Sequence, residues 1–106
     1  MTLYRQHYRI LYPGTEHPVL IWDDLELKVL DLSESGACVA VPAEVPVSSP
    51  KDVCILFPDG REVATRATVV RTNHNGMAVT FFPCIPFALI LAEQRRIRLR
   101  FRHLET

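Results

Sequence analysis

Two short patterns in this sequence combine residue types that bind phosphate groups and purine bases. Arg5 and Arg9 are four residues apart, a spacing that puts both side chains on one side of a helix or of an extended segment. The guanidinium group is planar, donates paired hydrogen bonds to phosphate and stacks on aromatic rings. The two arginines can therefore reach one anionic target, although such a pair alone is more typical of a solvated surface.

The second pattern is a D-x-S-x-x-G sequence at residues 31–36, directly after the apolar segment 25–30. In an extended backbone Asp31 and Ser33 project to the same face, and Gly36 permits a turn or a close backbone approach. Aspartate and serine also cap turns with their own side chains. The pattern by itself therefore indicates a turn more strongly than a binding site.

The elements that must position these residues are predicted to be short strands. Seven segments alternate in polarity or are rich in β-branched and aromatic residues, and turn-forming residues separate them. They are 9–12, 19–22, 25–31, 37–41, 52–57, 62–71 and 77–82. Alternation places Asp31 on the same face as Val29, and Arg71 on the same face as Val69. Short strands without intervening helices are typical of an antiparallel barrel or sandwich.

After the last strand, a spacing of three and four predicts a helix over residues 86–100. Its expected apolar side is formed by Phe87, Ile90, Leu91, Gln94 and Ile97, with Arg95, Arg96 and Arg98 largely opposite. We expect the apolar side to cover an end or face of the barrel. The fold class is thus mainly β, a small antiparallel barrel of about six strands with a C-terminal helix. We expect residues 1–106 to form one domain, with a flexible arm at 1–9, the barrel at 10–82 and the helix at 86–100.

Length and composition bound the function. A chain of 106 residues suits one compact domain, and a formal net charge of zero gives no reason to expect long nucleic acid as a partner. The charge is unevenly distributed along the chain. Residues 1–60 contain four basic and nine acidic residues, and residues 61–106 contain eight basic and three acidic residues. Arg5 and Arg9 therefore stand out in an acidic half of the chain.

Residues for catalysis or metal binding are not grouped in this sequence. The four histidines are scattered, the three cysteines are far apart, and no nucleophile or phosphate-loop motif is present. We therefore expect no enzyme, no metal and reduced thiols. The longest apolar run, residues 84–92, is interrupted by Pro86 and is too short to cross a bilayer. A cytoplasmic protein without membrane insertion is expected.

Arg5-x-x-x-Arg9 followed by Asp31-x-Ser33-x-x-Gly36, within this succession of strands, resembles the PilZ family of bacterial receptor domains for the second messenger cyclic di-GMP. The resemblance extends over essentially the whole chain. It implies a ligand-binding site formed by Arg5, Arg9, Asp31, Ser33 and Gly36, with no cofactor besides the ligand. The two arginines would contact guanine and phosphate. The Asp31 turn would bind the opposite guanine edge, and the Ser33 hydroxyl would bind phosphate or base.

The same resemblance implies a mechanism and leaves alternatives open. Ligand would order the arm at residues 1–9, and the changed surface would signal in trans to an unidentified effector protein in motility or biofilm regulation. Ser35 stands where many members have glycine, and Tyr4 and Gln6 flank Arg5 where further arginines are common, so ligand stoichiometry stays open. One alternative is a non-binding PilZ-like adaptor in pilus or motility regulation. Another is a barrel that binds single-stranded nucleic acid.

Overall fold

Seven strands precede one helix in the computed structural model of the chain, which describes residues 9–13, 16–41, 50–74 and 76–100. The side chains of Asn73 and Arg100 are not included in that description. The strands are β1 (Ile10–Leu11), β2 (Val19–Trp22), β3 (Leu25–Leu32), β4 (Gly36–Val39), β5 (Lys51–Leu56), β6 (Glu62–Asn73) and β7 (Gly76–Phe81), and α1 is Phe87–Arg100. Apart from Arg9, the expected arm lies outside the described residues.

Six of these strands close into an antiparallel barrel. Their order is β3-β2-β5-β6-β7-β4, and β4 pairs back with β3 to complete the ring. The short β1 pairs with the far end of β3, where Ile10 lies opposite Leu32 and Leu11 opposite Asp31. The predicted small antiparallel barrel with a C-terminal helix is therefore confirmed. Ring closure pairs the two edges of the sheet with each other.

The barrel is filled by side chains that alternate along the strands. The largest buried ones are Leu20, Trp22, Leu27, Leu32, Ile55, Met77, Ile85 and Ile90. Burying one side chain of this size stabilises the folded state by about 1.5–3 kcal/mol. Two of them, Ile85 and Ile90, come from the connection after β7 and from α1, so the helix is part of the same core.

Two β-bulges overturn the expected orientation of two charged side chains. One lies between Val29 and Asp31 in the β3–β4 pairing, and the other lies between Val69 and Arg71 in the β6–β7 pairing. At each bulge two consecutive residues oppose a single residue, so the alternation reverses. The expectations that Asp31 shares a face with Val29 and Arg71 with Val69 are therefore wrong. Both charged side chains point to the outside of the barrel.

The buried side of α1 also differs from the expected one. Ile90 is buried and Ile97 packs against the core, as predicted, but Leu91 is exposed and the charged residue Glu93 is fully buried. Glu93 takes that place because hydrogen-bond partners from the barrel satisfy its carboxylate. Among the described residues, no helix is long and apolar enough to cross a membrane.

Candidate functional site

The two bulges bring five side chains into one line on the outside of the barrel. Leu11, Asp31, Cys38, Ala78 and Arg71 lie directly opposite one another across β1, β3, β4, β7 and β6. Directly opposed residues of an antiparallel pair project to the same face. We call these five residues the cross-strand row. At a strand spacing of about 4.8 Å, Asp31 and Arg71 are separated by roughly 14 Å of surface.

At one side of this row Arg9 and Asp31 form an ion pair, although 22 residues separate them in the chain. A guanidinium N–H of Arg9, on Nη1, donates to Oδ1 of Asp31, which also accepts the backbone N–H of Cys38 at 3.1 Å. The side chains of Arg9 and Asp31 are 44% and 19% exposed. Within the described part of the chain, Oδ2 of Asp31 accepts no hydrogen bond. Both groups can therefore take up contacts with a ligand.

Ser33 and Gly36 shape the turn behind Asp31. Ser33 is only 2% exposed, and its hydroxyl donates to the Gly36 carbonyl at 3.3 Å, parallel to a backbone hydrogen bond of 2.9 Å. A Cβ on Gly36 would lie 2.3 Å from the carbonyl oxygen of Val79, so only glycine permits this approach of β4 to β7. Both residues thus lie beneath the surface that Asp31 faces.

The back of the same turn is tied to the connection between β7 and α1. The carbonyl of Glu34 accepts the N–H of Ile85, and the carbonyl of Ser35 accepts the N–H of Phe81, each at 2.8 Å. Since Ile85 is part of the core, these bonds fix the turn to the body of the barrel. Asp31 is therefore held on a preformed backbone.

Arg71, at the other side of the cross-strand row, was not among the residues that the sequence patterns indicated. It is exposed and forms no ion pair with any residue that the structure describes. Burial and then the Asp31 carboxylate raise the pKa of the Cys38 thiol, while the guanidiniums of Arg71 and Arg9 act in the opposite direction. Cys38 thus lies within the fields of all three charges. No local pattern could reveal Arg71, because its orientation depends on the bulge.

Small residues separate the charges of the row. Cys38 and Ala78 lie between Asp31 and Arg71 in the row, so no large side chain of the row projects from the barrel surface between the two charges. A flat ring could therefore lie on the strands between a carboxylate and a guanidinium. Of the five residues expected to bind ligand, the structure brings Arg9 and Asp31 together, places Ser33 and Gly36 beneath them, and does not describe Arg5.

A buried carboxylate fixes α1 beside this surface. Glu93 accepts hydrogen bonds from the Tyr12 hydroxyl at 2.7 Å, from Nη2 of Arg61 at 2.5 Å and from Nε of Arg96 at 2.7 Å. Arg96 also contacts Glu16 at 2.9 Å. Burial and the hydrogen bond to Glu93 hold the pKa of Tyr12 well above its usual range. The network joins the helix to the barrel and to the connection after β1.

The described residues contain no group of three or more histidine, cysteine, aspartate or glutamate side chains that could hold a metal ion. His17 is half-buried and contacts the carbonyl of its neighbour Pro18 at 3.1 Å. The charged groups of the cross-strand row are therefore the strongest candidates for a binding site.

Comparison with known proteins identifies similarity over most of the chain. The family model described as the PilZ domain matches residues 4–86. The crystal structure of an uncharacterized Legionella protein, Lpg0364, aligns with a TM-score of 0.61 and 16% sequence identity, covering 87% of this chain and 96% of that one. At this identity the likeness concerns the fold alone. No curated protein matches the chain.

Proposed function

The chain belongs to the PilZ domain family, and we propose that it is a receptor for cyclic di-GMP. PilZ domains are in general receptor or adaptor domains for this second messenger rather than enzymes. The proposal rests mainly on the ion pair between Arg9 and Asp31 on the outside of the barrel. Each of these residues belongs to one of the two sequence motifs. This pair offers a guanidinium and a carboxylate to one ligand.

The three charged groups at this surface, Arg9, Asp31 and Arg71, each have a counterpart in the ligand. Cyclic di-GMP presents two phosphates and two guanines, and guanine has acceptors on O6 and N7 and donors on N1 and N2. Oδ2 of Asp31, which no described residue contacts by a hydrogen bond, would accept from those donors, and Arg9 would bind a phosphate or the acceptor edge. Arg71 would bind the second nucleotide, by pairing with its phosphate or by stacking on its base.

Ligand binding must compete with the ion pair between Arg9 and Asp31. An exposed ion pair of this kind stabilises a protein by about 0.2–1 kcal/mol. A hydrogen bond to a charged group contributes about 1.5–3 kcal/mol, so one good contact to a phosphate offsets the loss of the pair. Arg9 can therefore exchange Asp31 for a ligand, or bind both, at small cost.

In the same proposal the turn supports the binding site, and the arm at residues 1–9 passes the signal to a partner. Ser33 and Gly36 would act by holding Asp31 in place, since the Ser33 hydroxyl already donates within the turn. Arg5, on the sequence pattern alone, would join Arg9 on the ligand and thereby order the arm at residues 1–9. The altered surface would then be bound by an effector protein in trans.

Calorimetric titration with cyclic di-GMP, cyclic di-AMP, GTP and an oligonucleotide tests the proposed ligand. We expect saturable binding of cyclic di-GMP alone. Arg9→Ala should weaken that binding at least about tenfold while thermal stability changes little. The matched control is Arg66→Ala, because Arg66 is also an exposed arginine paired with one aspartate, at 2.8 Å, but that aspartate is Asp52, which is not part of the cross-strand row. Equal affinity of the two variants would contradict the assignment of Arg9.

The titration also distinguishes the alternatives. Absence of binding by all four ligands would favour a non-binding PilZ adaptor, and binding of the oligonucleotide would favour a nucleic-acid-binding barrel. Asp31→Asn keeps an oxygen for the Cys38 amide but replaces a carboxylate oxygen by a donor. It should lower the affinity for cyclic di-GMP, because the guanine N1 and N2 donors lose a carboxylate acceptor. An unchanged affinity would show that the proposed role of Asp31 is wrong.

A further inference from the structure

A groove with a volume of about 190 Å³ lies between β1 and α1 and is bordered by the arginine of the ion pair. The residues that line it are Arg9, Ile10, Leu11, Gln94, Ile97 and Arg98. The exposed Leu11, with 73% of its surface accessible, lies in this groove and also in the cross-strand row, opposite Asp31. The groove therefore continues the candidate site from the barrel towards the helix.

The groove is rich in hydrogen-bond donors. Among the described residues its lining contains one amide, two guanidiniums, of which that of Arg9 is paired with Asp31, and no carboxylate. Arg98 is exposed, and its side chain forms no hydrogen bond or ion pair within the described ranges of the chain. Arg96, only two residues away, is held by Glu93 and Glu16. Arg96 thus fixes the helix, whereas the side-chain donors of Arg98 are not used by any described residue and face the groove.

The helix presents its groove residues as a unit. Gln94, Ile97 and Arg98 are spaced by three and four residues, so they lie on one side of α1. Ile97 packs against the core, and the buried Glu93 precedes Gln94 directly, so this side of the helix is anchored. The polar groups therefore stand at a fixed position opposite β1.

We propose that Arg98 and Gln94 form an additional anion subsite, which binds a phosphate of the nucleotide held at Arg9 and Asp31. This inference rests on the proposed function. The guanidinium of Arg98 can bind phosphate oxygens bidentately, and the Gln94 amide adds a further donor. Leu11 and Ile97 supply an apolar wall for a ring. The ligand then joins the barrel to α1, so occupancy of the site is transmitted to the helix.

Calorimetric titration of the full chain with cyclic di-GMP tests this subsite with two charge-matched variants. Arg98→Gln should weaken binding about tenfold, because a charge-assisted contact is lost. Arg95→Gln removes the same charge from an exposed arginine of α1 that does not line the groove, and should change affinity less than twofold. Thermal unfolding of both variants verifies that each remains folded.

The outcomes separate the two proposals. If the unaltered protein binds cyclic di-GMP and the two variants bind it with equal affinity, the subsite is refuted and the proposed function stands. If the unaltered protein does not bind cyclic di-GMP, the proposed function is refuted, and the subsite with it. A loss confined to Arg98→Gln supports both.

Discussion

Replacing Glu93 by glutamine should destabilise the protein by about 2–3 kcal/mol. The carboxylate is fully buried and accepts hydrogen bonds from Tyr12, Arg61 and Arg96. Breaking a fully buried ion pair costs about 3–5 kcal/mol because a charge is left uncompensated. The side chains of Arg61 and Arg96 are 34% and 20% exposed, so water compensates part of that loss. The expected destabilisation is therefore about 2–3 kcal/mol rather than about 3–5 kcal/mol.

Urea unfolding measures this effect directly. Trp22 is the single tryptophan and is buried in the barrel, so its fluorescence reports the loss of the core. For a domain of this size the expected change corresponds to a melting temperature lower by roughly 10–20 °C. Arg95→Gln, at an exposed position on the same helix, should stay within about 0.5 kcal/mol of the unaltered protein. A Glu93→Gln variant as stable as Arg95→Gln would refute the ionic anchoring of α1.

The remaining predictions concern a hydrogen bond, a glycine and the small residues of the cross-strand row. Tyr12→Phe should cost about 1.5 kcal/mol at neutral pH. The folded state holds the pKa of Tyr12 above the ordinary value of 10.0, so the free energy of unfolding should fall as pH rises beyond that value. The fall should be less steep in Tyr12→Phe, and the same pH dependence in both proteins would contradict this. Gly36→Ala should cost at least about 1–3 kcal/mol in urea unfolding, since its Cβ would meet the Val79 carbonyl; unchanged stability would argue against that contact. Ala78→Glu should weaken cyclic di-GMP binding at least about tenfold by repelling phosphate, whereas Ala64→Glu, elsewhere on the outer surface, should leave the affinity unaltered.

Much of the fold could be predicted because its signals are local. Alternating polarity and turn residues placed strands at 19–22 and 52–57, where the structure has Val19–Trp22 and Lys51–Leu56. The helix predicted at 86–100 is found at Phe87–Arg100. The order of strands around the barrel could not be predicted in this way, because it depends on pairings between segments distant in the chain.

The candidate site was only partly predictable, for the same reason. The family resemblance carried by the two motifs implied that Arg9 and Asp31 belong to one site, and the structure joins them in an ion pair. The orientation of Asp31 and the participation of Arg71 could not be inferred, because each follows a bulge that exists only when two strands pair. Simple alternation predicted both side chains on the wrong face.

The sequence alone therefore determined the local elements and the charged and polar residue types of the candidate site. The tertiary structure decided which of those residues share a surface. Glu93 illustrates the difference, since a charged residue on a helix is normally expected in water. It is buried here because Tyr12 and Arg61, 81 and 32 residues away in the chain, supply its hydrogen bonds. Only the closed barrel brings those partners to the helix. The same packing of α1 against the barrel forms the groove beside Arg9.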